Sequence, residues 1–280
     1  MKLPLFSREK ILADKKSLYQ RLLITEEGGV RYLRFGNRIV QGAVFLDNPV
    51  LPRIEYIKYL PLGLLFPDNP TDILNIGLGA GALQRRLAQH CPNIRMDTVE
   101  IDPLLLELAE QYLLFSHPPG FEIHILDARA FLRRCNKEYD VIIHDAFSAD
   151  AIPFHLTTVE FLREAQSRLK PGGVITANLW SSQKERFLAS LRTYEQVFPF
   201  IYRFPAYVGK NVIIVASRRE FSPDAILNRA QIMQTRSRFP FDFPRCASRL
   251  ETGMPETTSE RIFRDEDAAE VWLGKTPARN

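Results

Sequence analysis

Cysteine is scarce in this chain of 280 residues, and its three copies, Cys91, Cys135 and Cys246, form no Cys-x-x-Cys pair. Neither a disulfide framework nor a zinc knuckle is therefore expected, and each thiol is predicted to pack as a small apolar side chain. Histidine is almost as rare. Four of its five copies, His90, His117, His124 and His144, show no metal-ligand spacing among themselves, so no metal site is predicted.

Long hydrophobic runs are also missing. The longest apolar stretch, residues 59–66, is well short of the roughly 20 residues that a helix needs to cross a bilayer. The first ten residues carry charges and no apolar core, so no signal peptide is expected. Together with the few cysteines, these absences predict a cytoplasmic protein that does not contact a membrane.

A strong surplus of one charge is absent as well. Lysine and arginine number 37 against 33 aspartate and glutamate residues, a formal charge of +4, which is too small to indicate nucleic acid binding. The arginines near the C-terminus are followed by acidic residues and are predicted to form a solvated surface. With 45% hydrophobic and 25% charged residues, the composition is typical of a globular protein.

Three segments can be distinguished along the chain. Residues 1–67 hold short β-like runs that predict β-hairpins. The runs are residues 17–25, 30–35 and 39–46, and the predicted turns between them are Gly28-Gly29 and Gly36-Asn37. Residues 68–218 alternate strand and helix patterns, which predicts a mostly parallel sheet covered by helices. Residues 219–280 are polar and interrupted by prolines. In this extension a helix is predicted over 223–236, and the last thirty residues are predicted to be mobile.

The middle segment predicts five parallel strands and a closing antiparallel pair. The parallel strands are expected at 72–76, 95–99, 121–126, 139–143 and 174–178, and the pair at 200–204 and 211–216. A helix over 82–90 follows the first strand, and Pro103 opens the next helix. Lys170–Gly173 is predicted to stop a helix and turn into the fifth strand. The sequence therefore predicts an α/β, Rossmann-like fold with a small N-terminal antiparallel region.

Glycines and acidic residues follow the predicted strands. Gly77, Gly79 and Gly81 come directly after the first strand, where they free backbone N–H groups for a ligand. Glu100 ends the second strand, where a carboxylate can accept ribose hydroxyls, and Asp127 ends the third, where it can meet an adenine amino group. This arrangement predicts an adenosine nucleoside site. A nicotinamide dinucleotide stays an alternative, although no second phosphate-binding element supports it.

Asp145 ends the fourth strand at the same predicted edge of the sheet. A carboxylate there could hold a cationic amine or accept its proton as a general base, and a loop or helix cap is the alternative. Residues 151–158 are predicted to close over the site, stiffened by Pro153. His155 in this loop could act as a base, although a single loop histidine is more often structural or exposed.

These motifs resemble those of the spermidine synthase-like aminopropyltransferases, which are built on the fold of the class I, S-adenosylmethionine-dependent methyltransferases. The likeness runs from about residue 17 to 216, and its most specific match is Val99–Pro103, with the sequence VEIDP. The other matching segments are Ser17–Gln20, Ile76–Gly81, Leu126–Ala128, Tyr139–Asp145 and Leu169–Val174.

The resemblance implies a co-substrate, a base and an acceptor site. Decarboxylated S-adenosylmethionine, or S-adenosylmethionine itself, would be bound by Gln41, Gly77, Gly79, Gly81, Glu100, Asp102, Asp127 and Ala128. Asp145 would orient and deprotonate the attacking amine, and a small amine or polyamine would contact Tyr19, Gln20, Tyr56 and Asp150. The resemblance also implies a homodimer and no metal.

Three departures from the family pattern fall on the acceptor side. Ala80 stands where the relatives have an aspartate that contacts the aminopropyl group. The Tyr-His-Glu element is replaced by residues 55–59, which lose its acid and bring in Lys58. The second acid of the Asp-Ser-Ser-Asp-Pro gate is displaced by two positions to Asp150. Each change removes part of the negative field that a polycation needs.

Three functions are therefore considered. The first, which we predict, is aminopropyl transfer at an atypical acceptor site, to an amine with fewer charges. The second is methyl transfer from S-adenosylmethionine, which gains support from Ala80 because no carboxylate would repel the methionine carboxylate. The third is a nucleoside-binding protein without activity, and the retained Asp145 favours the two enzymes over it.

Overall fold

The computed structural model describes residues 9–36, 39–148, 151–253, 255 and 261–268. An N-terminal antiparallel sheet of four strands runs in chain order. Its strands are β1 (Lys10–Lys16), β2 (Arg21–Glu27), β3 (Val30–Phe35) and β4 (Ile39–Phe45). Gly28 and Gly29 both have positive φ, as the tight turn between β2 and β3 requires. The predicted hairpin at this turn is therefore confirmed.

The expected strand over residues 17–25 was wrong in its first part. Residues 17–20 form the turn between β1 and β2, where the Ser17 hydroxyl oxygen accepts the backbone N–H groups of Tyr19 and Gln20 at 3.0 and 3.1 Å. The strand β1 was not predicted, because its sequence KILADKK carries four charges and is largely exposed. The turn places Tyr19 and Gln20 at the end of a hairpin rather than within a strand.

The main sheet has seven strands in the order β10-β11-β9-β8-β5-β6-β7. Its strands are β5 (Asp72–Ile76), β6 (Arg95–Glu100), β7 (Phe121–Ile125), β8 (Tyr139–His144), β9 (Leu169–Trp180), β10 (Phe200–Pro205) and β11 (Asn211–Ser217). Strands β5 to β9 are mutually parallel, whereas β11 is antiparallel to both β9 and β10. The predicted fold class and closing antiparallel pair are confirmed.

Seven α-helices accompany the sheet in the described residues. They are α1 (Ala82–His90), α2 (Pro103–Tyr112), α3 (Ala128–Arg134), α4 (Val159–Gln166), α5 (Lys184–Glu195), α6 (Pro223–Ser237) and α7 (Phe243–Ala247). The helices predicted over 82–90 and 223–236 are confirmed. Within the described ranges, no helix combines the length and apolar character needed to cross a membrane.

The predicted turn at Lys170–Gly173 is instead a bulge inside β9. Tyr139 of β8 pairs with Leu169, but Val141 pairs with Val174, so four residues of β9 stand opposite one residue of β8. The Lys170 ammonium reaches the carboxylates of Asp72 and Asp140 at 2.6 and 2.8 Å. The bulge is therefore held by charge as well as by its glycines, and the strand begins earlier than predicted.

The apolar stretch of residues 59–66 is core and includes a 3-10 helix, Leu60–Leu65, whose residues are all buried. It packs in one cluster with β8, β9, α6 and α7, so residues 221–250 of the predicted extension contribute to the core. In a separate cluster, β2 and β3 pack against α2. The division into segments 1–67, 68–218 and 219–280 stays a prediction.

Candidate active site

The glycine loop after β5 is shaped by close packing. Gly77 has a φ of 102°, and a Cβ atom on it would lie 2.5 Å from the carbonyl oxygen of Asp145. Gly81 has a φ of 67°, and a Cβ there would overlap the ring of Phe115. Gly79 has open space where a Cβ would stand, so its backbone faces a cavity. The loop thus needs glycine for packing at its ends and offers a bare backbone at its middle.

Glu100 ends β6 and binds this loop. Its buried carboxylate accepts the backbone N–H of Leu78 at 3.0 Å and that of Asp102 at 2.9 Å. Burial raises the pKa of Glu100, while these backbone donors oppose the rise. Each carboxylate oxygen has a second lone pair, so the side chain can still accept a hydroxyl group from a ligand.

Two further predicted acids cap helices. Asp102 is fully buried, and its carboxylate accepts the N–H of Leu104 at 3.1 Å at the start of α2. Asp127 accepts the N–H of Ala130 at 3.0 Å at the start of α3, and its other oxygen lies 2.8 Å from Nε2 of His155. The hydrogen bond to His155 lowers the pKa of Asp127.

Asp145 follows β8 and is half-buried. One carboxylate oxygen accepts the side-chain amide of Asn178 at 2.9 Å, and the other accepts the Tyr56 hydroxyl at 3.3 Å. Burial raises the pKa of Asp145 to about 7, against the effect of these two donors. Burial and the charge of Asp145 also raise the pKa of Tyr56, so the phenol stays protonated. The arrangement is a carboxylate poised to accept a proton near neutral pH.

A cavity of about 250 Å³ gathers most of the predicted site residues. Those that line it are Tyr19, Gln20, Gln41, Tyr56, Gly77, Gly79, Glu100, Asp127, Ala128 and Asp145. Apolar side chains form its walls, and the predicted closing loop contributes Pro153, His155 and Leu156. Gly81 and Asp102 do not line this cavity, and Asp150 lies outside the described residues.

A second, smaller cavity of about 30 Å³ meets the first at Asp145. It shares Gln41, Tyr56 and the glycine loop with the larger cavity and adds Arg53, Asn75, Ala80 and Gln84. Arg53 and Asp145 are its charged lining residues among those the structure describes. Asp145 therefore stands between a larger, mostly apolar cavity and a small, amide-lined one.

Sequence reasoning missed two residues of this site. Asn178 ends the predicted fifth strand, so a search for polar residues at strand ends, which found Asp145, could have found it too. Its side-chain oxygen accepts the side-chain amide of Asn211 at 2.9 Å. Arg53 lies in the connection after β4, and no sequence signal indicated that it would reach the site.

One group outside the site has the composition of a metal site. Asp97, Glu122 and His124 lie close enough together to hold an ion. The Asp97 carboxylate, however, already accepts Lys137 Nζ and the Tyr139 hydroxyl, both at 2.7 Å. These residues do not line the two cavities at Asp145.

The strand order and the glycine loop define an α/β protein with the fold of the class I methyltransferases. A family model described as the spermine/spermidine synthase domain matches residues 55–224. The chain belongs to the spermine/spermidine synthase family. The predicted family, fold class and assignment as a transferase enzyme are confirmed.

The similar proteins include both aminopropyltransferases and a methyltransferase. A polyamine aminopropyltransferase of Vibrio vulnificus is 38% identical over 215 residues, which cover 73% of this chain and 71% of the relative. A probable spermidine synthase of Corynebacterium glutamicum has a TM-score of 0.66 over 89% of this chain and 98% of its own, and at 21% identity it shows the fold alone. Human methyltransferase-like protein 13, solved with SAH, has a TM-score of 0.62 at 27% identity over 67% of this chain and 94% of its own. The family assignment favours aminopropyl transfer over the two alternatives.

The raised pKa of Asp145 predicts how stability depends on pH. The folded state binds the proton more tightly than the unfolded state, so the contribution of Asp145 to stability is present below pH 4 and is lost as pH rises toward 7. The substitution Asp145→Asn removes this loss. It should therefore raise the free energy of unfolding at pH 8, relative to its effect at pH 4, by about 1–3 kcal/mol in urea denaturation.

Asp140 of β8, the strand that Asp145 follows, provides a matched control. Burial raises its pKa, but Lys170 and two backbone N–H groups outweigh burial and hold it below the ordinary value. Asp140→Asn should therefore cost more stability at pH 8 than at pH 4, opposite in sign to Asp145→Asn. The same pH trend in both variants would contradict the assignment of a raised pKa to Asp145.

Proposed function

We propose that this protein transfers the aminopropyl group of decarboxylated S-adenosylmethionine to an amine, with Asp145 as the general base. The observation that carries the proposal is the position of Asp145 at the junction of the two cavities, with a pKa raised by burial to about 7. Family membership supports the same reaction class.

The larger cavity suits the nucleoside. Glu100 would accept the ribose hydroxyls, and Asp127 would accept the adenine amino group at the end of β7. The apolar walls, which include Ile101, Leu126 and Leu156, would contact the two faces of the adenine ring. Gln41 and the backbone at Gly79 lie at the junction with the smaller cavity, where the sulfonium substituents would extend.

The chemistry asks little of the protein beyond alignment and one proton acceptor. The amine nitrogen forms a bond to the aminopropyl carbon while the bond between that carbon and sulfur breaks. The electron pair of the breaking bond stays on sulfur, which neutralises the sulfonium and gives methylthioadenosine. A protonated amine has no electron pair for this attack, so the ionised Asp145 carboxylate takes its proton. Tyr56 and Asn178 hold the two carboxylate oxygens and so fix the direction in which the base faces the amine.

The smaller cavity supports an acceptor with few positive charges. Its polar lining consists of Gln41, Asn75 and Gln84 amides, the phenol of Tyr56, the Asp145 carboxylate and the Arg53 guanidinium. A di- or trication bound here would be attracted by one carboxylate, that of Asp145, and repelled by one cation, Arg53. Tyr56, which lines both cavities, and Tyr19 and Gln20, which line the larger cavity, are proposed contacts of the acceptor where it approaches the sulfonium. The Gln20 side-chain oxygen is buried without a hydrogen-bond partner among the described residues, so it can accept an amine N–H.

Some features of the proposal go beyond these residues. A contact of the acceptor with Asp150 stays a prediction, because Asp150 lies outside the described residues. The homodimer, the cytoplasmic location and the absence of a metal, of nucleic acid and of membrane contact likewise stay predictions.

The product identifies the reaction. Purified protein with decarboxylated S-adenosylmethionine and a pool of mono-, di- and triamines should release methylthioadenosine only when an amine is present, as read by mass spectrometry. Asp145→Asn should reduce turnover by about a hundredfold or more, since a positioned base contributes roughly 10²–10⁴ in rate, while nucleoside binding is unchanged.

Two results would contradict the proposed function. In a parallel reaction with S-adenosylmethionine in place of its decarboxylated form, formation of S-adenosylhomocysteine would establish methyl transfer. Binding of the nucleoside with no product in any amine mixture would establish a protein without this activity. The variant Asp224→Asn, at the exposed start of α6, is the control for loss of a carboxylate elsewhere.

Arg53 should set the preference among amines. Because its charge repels polycations, Arg53→Gln should raise kcat/KM for a triamine relative to a monoamine by about three- to tenfold. The measurement is amine-dependent methylthioadenosine release with each amine in turn. Arg134→Gln, at an exposed position on α3, is the matched control and should leave the ratio unchanged. An unchanged ratio in Arg53→Gln would contradict this assignment of Arg53.

A further inference from the structure

A segment far along the chain packs beside the nucleoside cavity. Residues 261–268, here called the C-terminal strap, lie outside the range 55–224 that the family model matches. Phe263 in the strap is buried, and its carbonyl accepts the N–H of Val159 at 2.9 Å at the start of α4. The N–H of Phe263 donates to the hydroxyl of Thr193 on α5 at 3.0 Å. The strap is thus bonded through its backbone to two helices of the main body.

Asp265 of the strap makes a bidentate ion pair. Its two carboxylate oxygens accept Nη1 and Nη2 of Arg129, each at 2.8 Å. The Arg129 side chain is only 10% exposed and also pairs with Glu164. One Asp265 oxygen additionally accepts the Thr158 hydroxyl at 2.7 Å. A bidentate pair with a mostly buried guanidinium fixes orientation as well as distance.

These contacts converge on the loop of residues 151–158 that lines the cavity. Thr158 ends the loop, and the ring of Phe154 packs edge-on against Phe263 at a centroid distance of 5.7 Å. Arg129 also donates to the carbonyl of His155 at 3.5 Å. The strap therefore contacts the loop near its middle and at its end.

The loop in turn holds Asp127. Nε2 of His155 lies 2.8 Å from Oδ2 of Asp127, and both side chains line the larger cavity. Asp127 caps α3, the helix that carries Arg129. A closed set of contacts thus runs from Asp265 through Arg129 and the loop to His155 and Asp127.

We propose that the C-terminal strap is a positioning element of the nucleoside site, and that Asp265 and Phe263 act through the loop to hold His155 on Asp127. The inference rests on the proposed function in one respect, since it takes the larger cavity as the site of the nucleoside. Neither strap residue touches the ligand. Their effect is to keep the cavity wall and the Asp127 carboxylate in the arrangement that binds the adenine ring of the nucleoside.

Calorimetric binding of methylthioadenosine, which needs no turnover, tests the assignment. Asp265→Asn should bind about tenfold more weakly than the parent, a coupling of ordinary size between neighbouring sites. Glu266→Gln changes an exposed carboxylate in the same turn and should bind like the parent. Asp265→Glu, which keeps the charge, should recover part of the affinity.

A combined variant separates positioning from general destabilisation. If Asp265 acts through His155, then Asp265→Asn should cost no further affinity in a His155→Ala background. Additive losses, or a single Asp265→Asn variant with the affinity of the parent, would overturn the inference. If Asp265→Asn does not fold, Phe263→Leu replaces it, since this variant keeps an apolar side chain in the strap and removes the ring contact with Phe154. It should likewise lose affinity in the parent and none in the His155→Ala background.

The two proposals fail in different ways. A parent protein that does not bind methylthioadenosine would overturn the proposed function, and with it the identity of the cavity. A parent that binds it, with strap variants that bind equally well, would overturn the strap assignment and leave the proposed function standing.

Discussion

The close packing of Gly77 against the backbone of Asp145 is the constraint on which the site depends. The N–H of Asp145 donates to the carbonyl of Ile76 at 3.0 Å, and the space beside Gly77 has no room for a Cβ atom. The glycine loop and Asp145 are therefore one structural unit at the ends of β5 and β8. Because Asp145 is held there under Tyr56 and beside Asn178, its carboxylate is partly removed from water, and its raised pKa follows from that position.

The N-terminal sheet completes this unit from the other side. A Cβ atom on Gly42 of β4 would lie 2.6 Å from the Cβ of Ala80, so two small residues let β4 approach the glycine loop closely. Gly42 and Ala80 both line the smaller cavity, so this close approach forms part of its wall.

The sequence predicted the parts of the site that follow from strand periodicity. Gly77, Glu100, Asp127 and Asp145 lie at the carboxyl ends of parallel strands. Parallel strands bring these ends to one edge of the sheet, so the proximity of the four residues needed no knowledge of side-chain packing. The strand β1 was missed because an exposed, charged edge strand lacks an apolar pattern. Arg53 and the strap were missed because their positions depend on long-range contacts that local sequence does not encode.

The pH dependence of kcat/KM for decarboxylated S-adenosylmethionine, measured as amine-dependent methylthioadenosine release, tests the central claim that Asp145 is the base. Because kcat/KM reports the ionisation of the enzyme before this substrate binds, it should rise with pH along a limb whose midpoint is about 7, the pKa of Asp145. Tyr56→Phe removes one donor to the ionised carboxylate, so the midpoint should move to higher pH. A midpoint that stays in place in Tyr56→Phe, or a rate that is flat between about pH 5 and 8, would contradict the account.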